Sequence, residues 1–197
     1  MKNLKKLLIV STVALSLFGF NTQSKAATNH VVQSGETYWI LANKFGVSAN
    51  SIKSANDATS NMLIPGQSLT IPNSTISAAD KDLMARLVSA EAKGEPYAGK
   101  VAVATVILNR LDNKDFPDTI KDVIYQKDNG YYAFTPVQNG AINESSDAES
   151  KKAVTEAIAS RGYGQGSLYF YNPKTSTSDW IFSRQVTIKI GNHTFAK

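Results

Sequence analysis

From residue 77 onward the apolar positions recur at helical spacing. Over residues 77–92, Met84, Leu87, Val88 and Glu91 fall on one face of the expected helix, so a carboxylate closes an otherwise apolar stripe. A charge on the core side is costly unless it is paired, solvated or neutralised. Two readings follow: Glu91 lies at the rim with its head in water or against an arginine, or an apolar wall and a cleft keep it protonated, as a general acid requires. Gly94 stops this helix, capped at its start by Ser77 or Asp80, and Pro96 starts the next. That second helix carries Val101, Ala104, Thr105, Leu108 and Leu111 as a stripe suited to packing on the first. A short third helix opens at Phe116-Pro117-Asp118 and runs to about Tyr125. Ser146-Asp147-Ala148-Glu149 matches a capping box for a fourth, ending near Ser160. The period then changes to two: residues 167–172 and 186–190 read as strands, and Gly191-Asn192 as a turn into His193-Thr194-Phe195. Helices first and strands last make an α+β arrangement.

Upstream, residues 29–72 read as strand, helix, helix, strand, with extended segments at 30–32 and 68–72 and helices at 38–45 and 50–56. Ser34-Gly35 precedes the first of these helices, Gly46 follows it in the usual stop position, and Pro65-Gly66 turns into the last strand. A Ser/Thr-bearing bridge follows. The expected organisation is 1–26 an export signal, 27–72 a small βααβ module, 73–80 a linker and 81–197 a helix-rich second domain with a C-terminal β-sheet or hairpin.

The export signal rests on Lys2, Lys5 and Lys6, an apolar run from Leu7 to Phe20, and Ser24-Lys25-Ala26 as a cleavage site. The run is about 14 residues against the roughly 20 of a membrane span, so no stable membrane anchor is expected after cleavage. The chain carries a net charge of +5, but the signal holds four lysines and no acid, leaving +1 for the mature protein. No basic block interleaved with aromatics supports nucleic-acid binding. There is no cysteine. Thiol catalysis is therefore excluded, and stability must come from core burial rather than disulfides. The only histidines are His30 and His193, too few and too far apart in sequence for a usual catalytic zinc site, so no metal and no cofactor are expected.

Val31-Val32-Gln33-Ser34-Gly35-Glu36-Thr37-Tyr38-Trp39-Ile40-Leu41-Ala42, then Phe45-Gly46-Val47, Ile52, Asn56, Leu63 and Pro65-Gly66-Gln67-Ser68-Leu69-Thr70-Ile71-Pro72, resemble a LysM module over its full length. The resemblance implies binding of N-acetylglucosamine-containing glycan between two loops: Ser34, Gly35, Glu36, Thr37 and Tyr38 on one, Asn61, Met62, Leu63 and Ile64 on the other. Loops offering backbone groups and small polar side chains suit sugar hydroxyls and acetamido groups. Trp39 is expected beneath the groove, in the core.

A second resemblance is carried by residues 87–97, 99–104, 106–110, Phe116-Pro117, Ala133-Phe134-Thr135-Pro136-Val137, Tyr169-Phe170-Tyr171-Asn172-Pro173, Trp180 and Ile190-Gly191-Asn192-His193-Thr194-Phe195. These look like the SleB/CwlJ-type cell-wall hydrolases, which include spore cortex-lytic enzymes. The resemblance implies a lysozyme-like core related to lytic transglycosylases, peptidoglycan as the partner and a single catalytic glutamate at Glu91. One acid suffices for a transglycosylase, whereas a hydrolytic muramidase normally needs a second carboxylate about 5 Å or roughly 6.5–9.5 Å away. A wall-binding scaffold without activity is the alternative from another function class. Where family members often carry an acidic or Asp-Pro stretch, this chain has Arg161-Gly162-Tyr163-Gly164-Gln165-Gly166. Spore cortex is the substrate the family implies, while a LysM module is compatible with vegetative wall too.

Glu95, Asn109, Phe134, Thr135, Tyr169, Tyr171, Asn172 and Trp180 are the candidates for lining a glycan cleft. Glu95 lies beyond the helix stop, where periodicity gives no direction, and reads most simply as a solvated acid before the next helix. Glu144, Asp147, Glu149 and Glu156 read as solvated, with Glu149 as a cap partner. Asn109 either faces the cleft or ties loop backbone together. Alternation puts Tyr169 and Tyr171 on one strand face and Phe170 with Asn172 on the other. Two outcomes stay open for Arg110: it pairs with Glu91 and lowers its pKa, which would count against the acid role, or the cleft leaves Glu91 protonated.

Overall fold

A computed structural model of the chain describes residues 27–197, so the expected export signal lies outside the described residues. Strand β1 (Thr28–Val31) pairs antiparallel with β2 (Ser68–Ile71), bringing Thr28 opposite Ile71 and Val31 opposite Ser68. Between them run α1 (Tyr38–Phe45) and α2 (Ala49–Ala55). The Thr37 hydroxyl accepts from the Ile40 N–H to cap α1, and Gly46 ends it in the left-handed region at φ 67°. Ser48 caps α2 in the same way, accepting from the Ser51 N–H. Tyr38, Leu41 and Ala42 point inward, at the i, i+3, i+4 spacing of one helical face. Trp39 is one residue, about 100° of helix rotation, off that face, and it is 49% exposed. The expectation that it packs beneath the groove is therefore corrected: Tyr38, not Trp39, is the buried ring.

The second part is built on α3 (Ala78–Glu91), α4 (Tyr97–Leu111) and α7 (Ala148–Ala159), which pack on one another around a single apolar core. Met84, Leu87, Val88, Val103, Ala104 and Ile107 are fully buried there. Ser77 resolves the capping choice on α3: its hydroxyl accepts from the Asp80 N–H while the Asp80 carboxylate accepts from the Ser77 N–H, a complete capping box. Helix α5 (Ile120–Tyr125) starts later than its Phe116-Pro117 signal, because the Thr119 side chain supplies the cap by accepting from Asp122 N–H. Helix α7 is capped by Asp147, whose Oδ1 accepts from the Ser150 N–H at 2.6 Å. The expected Ser146–Glu149 box does not form, since Glu149 is drawn instead to Lys100 at 2.6 Å. Asp147 also pairs with Lys100, and Glu156 accepts from the Tyr97 hydroxyl at 2.7 Å, so these three acids are not simply solvated.

Several short elements have no counterpart in the sequence reading, among them the hairpin β3 (Lys127–Asp128) with β4 (Tyr131–Tyr132), and α6 (Thr135–Asn139). A 3-10 turn (Ala141–Asn143) leads on to α7. At the C-terminus β5 (Tyr169–Tyr171), β6 (Val186–Ile190) and β7 (His193–Ala196) form an antiparallel sheet in the order β5-β7-β6. Helix α8 (Asp179–Phe182) precedes β6. The architecture is the expected α+β, with a βααβ unit ahead of a helix-rich body closed by a small sheet.

The two parts share packing. Ala159, the last residue of α7, is fully buried in the core of the βααβ unit. Lys81 donates to the Gly46 carbonyl at 3.1 Å, and the Asn50 amide donates to the Arg161 carbonyl at 3.3 Å. Between the two parts, Ile76 is buried in the helical core.

Candidate active-site cleft

Glu91 is the last residue of α3, where an apolar helix face meets open space. Behind it Met84, Leu87 and Val88 are dry. In front lies a cleft of about 580 Å³ shared with Lys93, Glu95, Arg110, Phe134, Thr135, Phe170, Tyr171, Asn172 and His193. Burial among these groups disfavours the carboxylate and pushes the Glu91 pKa up from 4.5 to about 7. Two weaker effects act the other way: a hydrogen bond from the backbone N–H of Thr135, and the positive charge of Arg110.

Thr135 reaches Glu91 because Phe134 is extended and sits as the residue before α6, with Pro136 in the helix's first turn. Phe134 itself is buried, stacked against Phe170 with ring centroids 6.3 Å apart, and forms the floor on which this backbone rests. The N–H donor carries no side-chain signature. The Thr-Pro dipeptide after an aromatic was the signal that could have announced the helix start.

Arg110 lies in the same cleft, and of the two outcomes left open the direct ion pair with Glu91 does not form. Its Nε donates to the Leu168 carbonyl at 2.8 Å, and its guanidinium lies 4.9 Å from the Phe134 ring centroid and 5.2 Å from that of Phe116. It acts on Glu91 through its field while its own pKa is pulled down to about 10, chiefly by burial.

Glu95 is the second carboxylate of the cleft. Its Oε2 accepts from the Asn192 N–H at 2.9 Å and its Oε1 from the Asn192 amide at 3.0 Å, clamping the β6–β7 turn. Partial burial works against ionisation, but the two Asn192 bonds prevail and hold its carboxyl below the usual range. It is thus engaged rather than simply solvated. A Cβ on Gly191 would come within 2.0 Å of Glu95 Oε2, and Gly191 also has φ 58°, so this close approach depends on glycine twice over. His193, beside it, is half-buried, and burial lowers its pKa although Glu95 pulls it upward.

The remaining candidates divide. Tyr171 and Asn172 line the cleft with Phe170. Asn172 Oδ1 also accepts from the Lys174 N–H at 2.9 Å, which fixes the chain leaving β5. Tyr169 meets Trp180 edge-on at 5.0 Å with the Arg110 guanidinium 5.6 Å from its ring centroid, and Trp180 is covered by the Arg184 guanidinium at 4.1 Å. Neither lines the Glu91 cleft. Asn109 takes the tying role, its amide donating to the Ser167 carbonyl at 2.8 Å, beside a separate depression. His193, Lys93 and the Thr135 N–H are cleft groups that the sequence reading did not assign.

In the βααβ unit, Thr37, Tyr38, Trp39 and Asn61 line one cavity. Glu36 is turned away into local bonds: its Oε2 accepts from the Gln33 N–H at 2.9 Å and meets His30 Nε2 at 2.6 Å, and its Oε1 meets Lys44 at 3.4 Å. The Gln33 N–H is the largest influence, followed by His30, and the carboxyl is held down to about 2. Leu63 packs against the apolar core, while Ser34, Gly35, Met62 and Ile64 are exposed outside the cavity. Among the described residues no group of three or more His, Asp or Glu could hold a metal ion, and no helix is long and apolar enough to cross a membrane.

Comparison with known proteins places this geometry. Residues 30–72 match the LysM domain, and residues 94–196 match the family described as Cell Wall Hydrolase, a match that begins just after Glu91. The spore cortex-lytic enzyme of Bacillus cereus is 41% identical over 156 residues, covering 79% of this chain and 58% of its own. The chain therefore spans less than two thirds of that relative's length. The catalytic domain of the germination-specific lytic transglycosylase SleB from Bacillus anthracis is 43% identical, with a TM-score of 0.58 over 64% of this chain and 100% of the other. The catalytic domain of Bacillus cereus SleB is likewise 43% identical, with a TM-score of 0.55 over 61% of this chain and 91% of its own. With a LysM domain ahead of it and the family match extending over more than half of its length, the chain belongs to the cell wall hydrolase family.

Proposed function

We propose that the protein is an exported peptidoglycan-degrading enzyme that cleaves the bond between N-acetylmuramic acid and N-acetylglucosamine as a lytic transglycosylase. Residues 27–72 form the glycan-binding module and 81–197 the cleaving domain. The observation that carries the reading is Glu91: a carboxylic acid with a pKa of about 7, in a cleft whose one other carboxylate, Glu95, has both oxygens taken by Asn192. A proton must reach the departing glycosidic oxygen, because an alkoxide leaves poorly from an oxocarbenium-like centre. Neutral Glu91 gives that proton to the leaving sugar's oxygen as the C1–O bond breaks. The Glu91 carboxylate then takes the proton of the muramoyl C6 hydroxyl as its oxygen bonds to C1, which yields a 1,6-anhydro end and restores the acid. The Thr135 N–H and Arg110 stabilise the carboxylate between the two transfers, which keeps its pKa from rising further.

The likeness to SleB catalytic domains and to a spore cortex-lytic enzyme supports peptidoglycan as substrate and germination as a setting, with the protein associated with cell wall or spore cortex. Mass spectrometry of digested peptidoglycan tests the reaction. Anhydro-muropeptides are expected; ordinary reducing ends would make the enzyme a hydrolytic muramidase, and no release would make the chain a wall-binding scaffold.

A further inference from the structure

The loops of the LysM unit do not enclose their cavity alone. Thr37, Trp39 and Asn61 form one side of a cavity of about 330 Å³, and Ser160 and Tyr163, from the end of α7 and the loop after it, form the other. Trp39 is 49% exposed and Tyr163 50% exposed, so each part of the protein presents one large, half-open aromatic ring to the same space. Polar capacity stands beside them. Asn61 Oδ1 accepts from Lys53 at 2.8 Å, which leaves the amide N–H groups to donate, and Thr37 Oγ1 accepts from Ile40 N–H, which leaves its hydroxyl proton to donate. Aromatic faces beside amide and hydroxyl donors suit an N-acetylhexosamine, whose C–H faces are apolar and whose acetamido carbonyl accepts.

The far wall is held in place by the fold. Ala159 is buried in the LysM core, and the Asn50 amide donates to the Arg161 carbonyl. Gly162, at φ +87°, runs so close that a Cβ would lie 2.8 Å from Asn50 Nδ2. Tyr163 N–H then donates to the Ser160 carbonyl at 2.9 Å. The loop that departs from the family's acidic pattern is thus the loop that docks on the LysM unit.

We propose that the glycan site of this protein is composite: Tyr163 and Ser160 of the cleaving domain complete the LysM groove, and an N-acetylglucosamine oligomer binds against both. The proposal rests on the reading of residues 30–72 as glycan-binding. Isothermal titration of the full chain with tetra-N-acetylchitotetraose tests it. Tyr163→Ala is expected to weaken binding about tenfold, the equivalent of about 1.4 kcal/mol, with Tyr163→Phe close to wild type and Trp39→Ala weakened as well. In the unaltered chain, the ring resonances of both Tyr163 and Trp39 are expected to shift on addition of the same oligomer. Wild-type affinity in Tyr163→Ala with loss in Trp39→Ala, or an unmoved Tyr163 resonance, overturns the composite site and leaves the LysM reading intact. Absence of binding by the unaltered chain overturns both.

Discussion

The backbone N–H of Thr135 donates to the Glu91 carboxylate, so the acid at the end of α3 is steadied by the first residue of α6. This bond favours the charged form, yet burial outweighs it and the group titrates at about 7. The acid can therefore both give and regain a proton near neutral pH.

Glu91→Gln is expected to lower peptidoglycan cleavage by about 10²–10⁴-fold, the usual worth of a positioned acid. Binding to isolated wall is expected to persist, because the LysM residues lie elsewhere. Turbidity clearance and a wall pull-down, run in parallel, measure the two properties; full turnover by the variant refutes the assignment.

Activity that starts from protonated Glu91 should fall along an alkaline limb centred near pH 7. Arg110 lowers that pKa, so Arg110→Met is expected to move the limb upward. The same change removes the guanidinium from the Phe134 and Phe116 rings, and a lower melting temperature should accompany it. An unmoved limb in a folded variant would show that the field of Arg110 does not reach the acid.

Stability carries the same signature. Glu91 has a folded pKa above its ordinary 4.5, so its contribution is fully present below about pH 4.5 and is lost as pH rises through about 7. Glu91→Gln removes that dependence. The variant is expected to be more stable than the wild type above pH 7, by up to about 3 kcal/mol, and little different at pH 4. Urea unfolding at the two pH values reads the difference.

Helix α1 (Tyr38–Phe45) and the whole of α4 were legible in the sequence, because periodicity and end signals agree there, while the start of α3 was legible only as a choice between Ser77 and Asp80. The α+β class and the inward acid followed from the same patterns. The hairpin of β3 and β4, two residues a strand, was not legible: it is too short to show a period. Trp39 was misplaced because a neighbouring aromatic, Tyr38, already fills the inward position. Nearness in sequence leaves open whether Arg110 pairs with Glu91; its charge does lower the Glu91 pKa, but the Leu168 carbonyl that claims its Nε comes from 58 residues further along the chain. Glu149 was lost to Lys100 in the same manner, since local capping signals cannot reveal a competing charge on another helix.

Asp147 concentrates several bonds at the start of α7, taking Ser150 N–H, Ser89 Oγ and Lys100. Asp147→Ala is expected to cost about 1–2 kcal/mol, the upper range for an N-cap. The Ser150 N–H is the main cause of a pKa near 2, so this contribution is present above about pH 4 and fades as pH falls toward 2. Thermal melts at pH 7 and pH 2.5 should show the wild-type advantage shrinking at the lower pH.

Gly191→Ala is expected to destabilise the β6–β7 turn by about 1–3 kcal/mol, because the new Cβ would collide with Glu95 Oε2 and the backbone has φ 58°. Amide exchange should report the loss at Asn192, whose N–H would no longer be held by Glu95.

Ala159 belongs to the last turn of a helix from one part and to the core of the other. The cost of orienting the LysM unit is therefore met when the chain folds, before any wall is present. A unit on a slack tether samples many strands and delivers its partner by chance; one seated on α7 turns with the cleft as a single body. Under the proposed reaction, the point at which a glycan strand is cut would be set by where the strand is gripped.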